Sequence, residues 1–223
     1  MPSNARIAFD ANTADVRRLL DLHRDIAKDT PGRKYGVEVL NKSAVVLVCS
    51  FWEAYCEDIA AGGLGHLADY ATKAESLPLE IQKRLAKDLK ADEHELAVWK
   101  LAGEGWRECL KIRLGRLKAE RDRRLNTPKT DQINQLFLDA VGIEKISSSW
   151  RFPGRSTSKS AEKLDAYVTL RSEIAHRGST TDSAQKDAAS NFFKLVQDLA
   201  AKTGGEVNKV VKKAAGKPLW KKG

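Results

Sequence analysis

Nearly every periodic stretch of this chain repeats its apolar residues at the spacing of a helix, and no segment alternates convincingly as a strand does. The most apolar of these stretches runs from Val37 to about Ala61. It sets Leu40, Ala44, Leu47, Val48, Phe51, Tyr55 and Ile59 on one broad face. The sequence "GGLG" follows, where glycines can take the left-handed conformation that closes a helix, so the helix is expected to end there. The run "SAVVLVCSFW" inside it is half the length a membrane span needs and leads into Glu53, Glu57 and Asp58. No membrane association is therefore expected. "MPSNARIAFDANTADVRRLL" lacks the apolar centre of a signal peptide, which points to a soluble cytoplasmic protein.

Other helices follow the same logic. Residues 14–28 place Val16, Leu19, Leu20 (or His23) and Ile26 at helical spacing, and "PGRKYG" then breaks the chain. In "LNTPKTDQINQLFLDAVGIEKI", Thr130 or Asp131 can cap a short helix carrying Ile133, Leu136, Phe137 and Val141, which Gly142 stops. "SSSWRFPGRSTSKSAEK" reads as a loop. From Ser160 or Ala161 to His176 a helix shows Leu164, Tyr167, Val168 (or Leu170) and Ile174 as its core side. A last helix, roughly Ser183 to Lys202, offers Ala188, Phe192, Leu195, Val196 and Leu199. The fold class is all-α, a helical bundle.

Charge divides the 223 residues further. The net charge of +9 favours a polyanionic partner, of which nucleic acid is the commonest. Residues 79–124 are charged, helical in pattern, and read as an insertion in a single domain spanning 1–205. Their end, "RECLKIRLGRLKAERDRR", carries eight basic against three acidic side chains. Such a run is either a solvated helix face or a second surface for phosphates. Residues 206–223 form a basic C-terminal tail with six lysines against one glutamate. Cys49, Cys56 and Cys109 have no C-x-x-C spacing, so neither a disulfide framework nor a zinc site is suggested. Cys49 and Cys56 read as small core hydrophobes. No metal and no cofactor is expected.

The chemistry-bearing stretch is "LRSEIAHRG", in which Arg171 and His176 are separated by four residues. On an ideal helix five steps turn the side-chain direction by about 140° and climb about 7.5 Å. The two can meet at one phosphate only if the helix loosens near His176, for which Gly178 offers a place. A guanidinium forks onto two phosphate oxygens, and an imidazole can take a proton from a ribose 2′-hydroxyl or return one to a leaving oxygen. Standing against this is the ordinary use of arginine and histidine in last turns, where they satisfy free carbonyls and the helix dipole.

An arginine, four residues and a histidine resemble the signature of the HEPN ribonucleases. "LDAYVTLRSEIAHRG" is similar to the end of the motif helix in the RiboL-PSP branch. "VLVCSFWEAYCEDI" and "LNTPKTDQINQLFLDAVGI" look like that branch's apolar helix and central segment. The resemblance covers residues from about 40 to 200. It implies a HEPN-like helical bundle that dimerises, with the motif helices of two protomers flanking a shared RNA cleft. It also implies that Arg171 and His176 are the catalytic pair of a metal-independent endoribonuclease, as in toxins of toxin–antitoxin or antiphage systems, with a cognate antitoxin or defence protein as a further partner. Ser172 departs from the asparagine, aspartate or histidine usual after the motif arginine, leaving open a non-catalytic module that binds RNA or protein. Serine can still donate or accept a hydrogen bond and so support the pair. Glu53 resembles the acidic residue of the family's apolar helix. Two roles compete for it: an ion pair with Arg171, which would hold it ionised, or direct proton transfer. Arg177 either adds a phosphate contact or faces water. Tyr167 and Trp150 are expected in the packing, with Trp150 beside Arg151 otherwise free to stack on a base. His23, His66 and His94 have no partner at useful spacing.

Overall fold

The computed structural model describes residues 2–28, 37–119, 127–177 and 186–221. Among them lie seven α-helices and no strand: α1 (Asn4–Lys28), α2 (Val37–Tyr70), α3 (Leu79–Lys90), α4 (Gly105–Ala119), α5 (Thr130–Val141), α6 (Thr157–Arg177) and α7 (Lys186–Ala215). α2 is the axis of the bundle and packs against α1, α4, α5, α6 and α7. A helix apolar on nearly every side can be stable in water only when other helices cover it. Accordingly Ala44, Val48, Trp52, Cys56, Ile59 and Leu64 along it are fully buried.

Several boundaries differ from expectation. α2 continues through "GGLG" to Tyr70. Its glycines serve close packing instead of termination: a Cβ on Gly63 would lie 2.6 Å from Val141 Cγ1 and 3.2 Å from Val207 Cγ1. A glycine inside a helix is tolerated where two backbones approach this closely. Similarly α7 runs past Gly204, whose Cβ would fall 2.5 Å from Tyr55 Oη, and past Gly205 to Ala215. Residues 206–215, set apart by their lysines, thus continue α7 and bury Val207, Val211, Ala214 and Ala215. α1 begins before the periodic stretch that announces it, with Ser3 Oγ accepting the Arg6 N–H at 3.1 Å as an N-cap. Ile26, expected on its buried side, is 49% exposed.

The charged segment 79–124 is fastened to the bundle by its own charges. α3 and α4 bury Ile81, Leu85, Trp106 and Leu110. Arg107 donates from Nη1 and Nη2 to the carbonyls of Ala68 and Ala71, at 2.9 and 2.6 Å, closing the C-terminal end of α2. Arg113 donates to the Asp139 carbonyl and pairs with Asp88, while Arg84 pairs with the Asp139 carboxylate at 2.6 Å. Arg107 and Arg113 of the basic run are thus turned to structural work, while Lys111, Arg116 and Lys118 of the same run stay exposed. Residues 120–124, the rest of that run, lie outside the described residues.

α5 starts at Thr130, but neither Thr130 nor Asp131 caps it. Asp165 of α6 accepts the Thr130 N–H at 2.7 Å and its hydroxyl at 2.9 Å, so a carboxylate from another helix satisfies the free amide. Gly142, in the left-handed region at φ 72°, ends the helix as expected.

Candidate functional site

α6 begins at Thr157, with Ser156 Oγ accepting the Lys159 N–H at 3.2 Å, and stays helical through Arg177. Its inner side buries Ser160, Leu164, Val168 and Ile174. Arg171 follows on this side and is half-buried. Its Nε is shielded from solvent and has no hydrogen-bond partner among the described residues. A buried guanidinium N–H with nothing to donate to is uncommon, and an anion presenting oxygens is the natural way to satisfy it.

Cys49 and Glu53, four residues apart on one side of α2, both feel the Arg171 charge, and Glu57 follows Glu53 one turn on. Glu53 is half-buried and feels Arg171 electrostatically, but no ion pair joins them. Its carboxyl is pushed up to about 7, first by loss of water and then by the Glu57 carboxylate one turn on, with Arg171 opposing both. The ion pair expected to hold Glu53 ionised is therefore not formed. Desolvation and a like charge outweigh the arginine, and near pH 7 both protonation states of Glu53 are populated. Glu57 is the participant that sequence reading missed. Its signal was present in "EAYCE", two carboxylates a turn apart on an otherwise apolar helix.

His176 is exposed on the last turn. Because α6 is unbroken to Arg177, the side chains of Arg171 and His176 leave it about 140° apart. The loosening expected near Gly178 falls outside the described residues. Ser172 is half-buried and makes no hydrogen bond among the described residues. Arg177 closes α6, but its side chain also lies outside them.

The remaining candidates belong to the packing. Trp150 is fully buried, donates from Nε1 to Thr203 Oγ1 at 2.9 Å and meets Trp52 edge-on at 6.1 Å, so it is closed to a base. Tyr167 stacks on Phe192 at 4.6 Å. His66 Nε2 lies 3.1 Å from the Lys217 carbonyl, and His23 is buried. Burial pushes the Cys49 thiol up to about 12 and the Cys56 thiol well above its ordinary range, which leaves both unreactive as nucleophiles. Among the described residues no group of three or more His, Cys, Asp and Glu side chains converges as a metal site would. Nor, among them, is any helix long and apolar enough to cross a membrane.

The chain is an all-helical bundle that carries Arg171 and His176 on one helix and the half-buried Glu53 on its central helix. Over residues 11–209 the chain matches the family model described as RiboL-PSP-HEPN, and it belongs to that family. Comparison with curated proteins and with solved structures gave no match.

Proposed function

We propose that this chain is an endoribonuclease that cuts RNA without a metal. The observation that carries this reading is the Arg171 guanidinium: half-buried, with a shielded Nε that lacks an acceptor among the described residues, beside a Glu53 carboxyl pushed up to about 7. A neutral Glu53 leaves the arginine's charge uncompensated and available to a phosphate. We assign Glu53 as a positioning residue on this ground.

In the reaction the ribose 2′-oxygen attacks the adjacent phosphorus, and the bond from phosphorus to the 5′-oxygen breaks. A 2′,3′-cyclic phosphate and a 5′-hydroxyl result. Solvent water takes up the 2′-hydroxyl proton as attack proceeds, and a proton reaches the departing 5′-oxygen. His176 supplies the latter, and Arg171 holds the phosphate oxygens as negative charge builds on them. Since the nucleophile belongs to the substrate, no metal-bound water is needed. The divergence of Arg171 and His176 on one straight helix favours a cleft completed by a second protomer, whose motif helix would bring the missing partner to each phosphate. Use as a toxin or in antiphage defence would bring a cognate restraining protein.

The test is incubation of the purified chain with mixed RNA in excess chelator. Cleavage with cyclic-phosphate ends, lost in His176→Ala with the helical circular dichroism unchanged, is the expected result. Equal cutting by both proteins removes the assignment. RNA binding without cutting by either leaves a non-catalytic binding module, the role for which the unbonded Ser172 leaves room.

A further inference from the structure

At the opposite end of α6 from His176, the sequence "RFPGR" forms a tight turn. Phe152 and Arg155 exchange backbone hydrogen bonds of 3.0 and 3.1 Å, and Gly154 sits at φ 73°, as the third position of a proline–glycine turn requires. The turn lays the Arg155 guanidinium on the Phe152 ring, 4.2 Å from its centre, and Lys202 of α7 brings a second cation to 5.5 Å. Beside them is a cleft of about 500 Å³ lined by Arg151, Arg155, the Phe152 ring and the hydroxyl-bearing Ser148, Ser156 and Thr157. Among the described residues no carboxylate lines it.

The cations differ in how they are engaged. Arg155 is committed, donating from Nε to Ser160 Oγ at 3.1 Å and pairing with Asp198 at 2.9 Å. Arg151 is exposed and makes no hydrogen bond or ion pair among the described residues. A free planar fork next to hydroxyl donors, with two further cations gathered on one ring, suits the oxygens of a phosphodiester.

We propose that this cleft is a second RNA-contact site, holding a phosphate of the same single strand whose scissile linkage lies at Arg171. The proposal rests on RNA being what the Arg171 site takes. What favours RNA over an acidic peptide is the absence of a carboxylate around a free guanidinium, together with a distance one strand can cover: Arg171 lies about 21 Å along α6 from Thr157 at 1.5 Å per residue. A strand stacked at about 3.4 Å per nucleotide covers that distance in about six nucleotides. The consequence is a length requirement. RNA shorter than the span reaches one site, and longer RNA engages both.

Binding is measured with the His176→Ala chain, so that nothing is cut, using oligouridine probes of about three and about twelve nucleotides across a salt series. Adding Arg151→Ala and Lys202→Ala should reduce the salt slope for the long probe by about 1.4, the value for two lost phosphate contacts on a single strand. It should also collapse the long probe's affinity advantage over the short one. Lys90→Ala, an exposed lysine at the end of α3, is the charge control. An unchanged slope and advantage, or an equal loss in the control, overturns the proposal. So does equal competition by polyglutamate of matching charge, which would make the cleft a surface for acidic protein. If the unmutated chain cuts no RNA yet the double variant loses the advantage, the nuclease reading fails and the contact site stands.

Discussion

Two levels of α2 face opposite problems. At Gly63 the helix has shed its side chain so that Val141 of α5 and Val207 and Val211 of α7 can close on its backbone. At Glu53, some three turns earlier, it holds a half-buried carboxyl within reach of the Arg171 charge without an ion pair between them. The first level is packed until no atom can be added. The second leaves polar groups short of partners, which costs stability unless something else arrives to use them. One helix thus supplies both the rigid floor of the bundle and a half-buried carboxyl that lacks an ion pair with Arg171. The difference teaches where a ligand belongs: at the level where demands are unmet.

The comparison breaks most readily at His176. If the open end of α6 is for chemistry, His176→Ala should lower RNA cleavage by about 10²- to 10⁴-fold, the usual contribution of a positioned proton donor. Its exposure means that the melting temperature should hardly move. The packed interior should behave in reverse. Trp150→Ala removes a fully buried indole and leaves the buried Thr203 hydroxyl without its donor, so a loss of about 3–5 kcal/mol is expected in denaturant titration. A protein in which His176→Ala unfolds the chain, while Trp150→Ala does not, would abolish the distinction between the two regions.

A finer cut uses neighbouring glycines. Gly63→Ala drives a methyl to 2.6 Å from a valine methyl whose branched side chain has little rotamer freedom. Overpacking of this kind costs about 1–3 kcal/mol, against a gain of about 1 kcal/mol from alanine's better helix propensity. The net should be destabilising. Gly62→Ala meets nothing within 4 Å, so only the propensity gain remains, and the variant should melt higher than the parent. Equal shifts in both variants would mean that α2 is not held at Gly63 by contact.

How far this was legible follows from the same residues. Periodicity exposes α2, α5 and α6 because a buried face writes itself into spacing, and the positions of Val48, Ile133 and Leu164 were readable for that reason. The ends of α2 and α7 were misread because Gly63 and Gly204 look alike in sequence whether they stop a helix or admit a neighbour. Only the Val207 and Tyr55 side chains, distant in the chain, distinguish the cases. Arg107 and Arg113 read as surface charge for want of any local sign that carbonyls of α2 and α5 would come to them. At the site, Arg171 and Glu53 could be named as candidates from the resemblance to the family's motif helix and apolar helix. Their relation could not, since it depends on how much water each loses and on Glu57 adding its charge.

The smallest effect tests that relation most directly. The folded chain holds the Glu53 proton more tightly than the unfolded chain, with the carboxyl raised from 4.5 to about 7. The stability this provides is fully present below about pH 4.5 and is lost as pH rises to about 7, because ionisation in the half-buried site is then forced. Glu53→Gln keeps the shape and removes the titration. Comparing thermal midpoints of parent and variant between pH 4.5 and 7 should therefore show the parent losing ground steadily as pH rises. An ion pair with Arg171 would give the opposite slope, with the parent gaining as the carboxylate forms. Since a bound phosphate adds negative charge beside Glu53, RNA with an uncleavable 2′-deoxy linkage should extend the parent's falling limb to higher pH. Absence of that extension would separate Glu53 from the arginine's ligand.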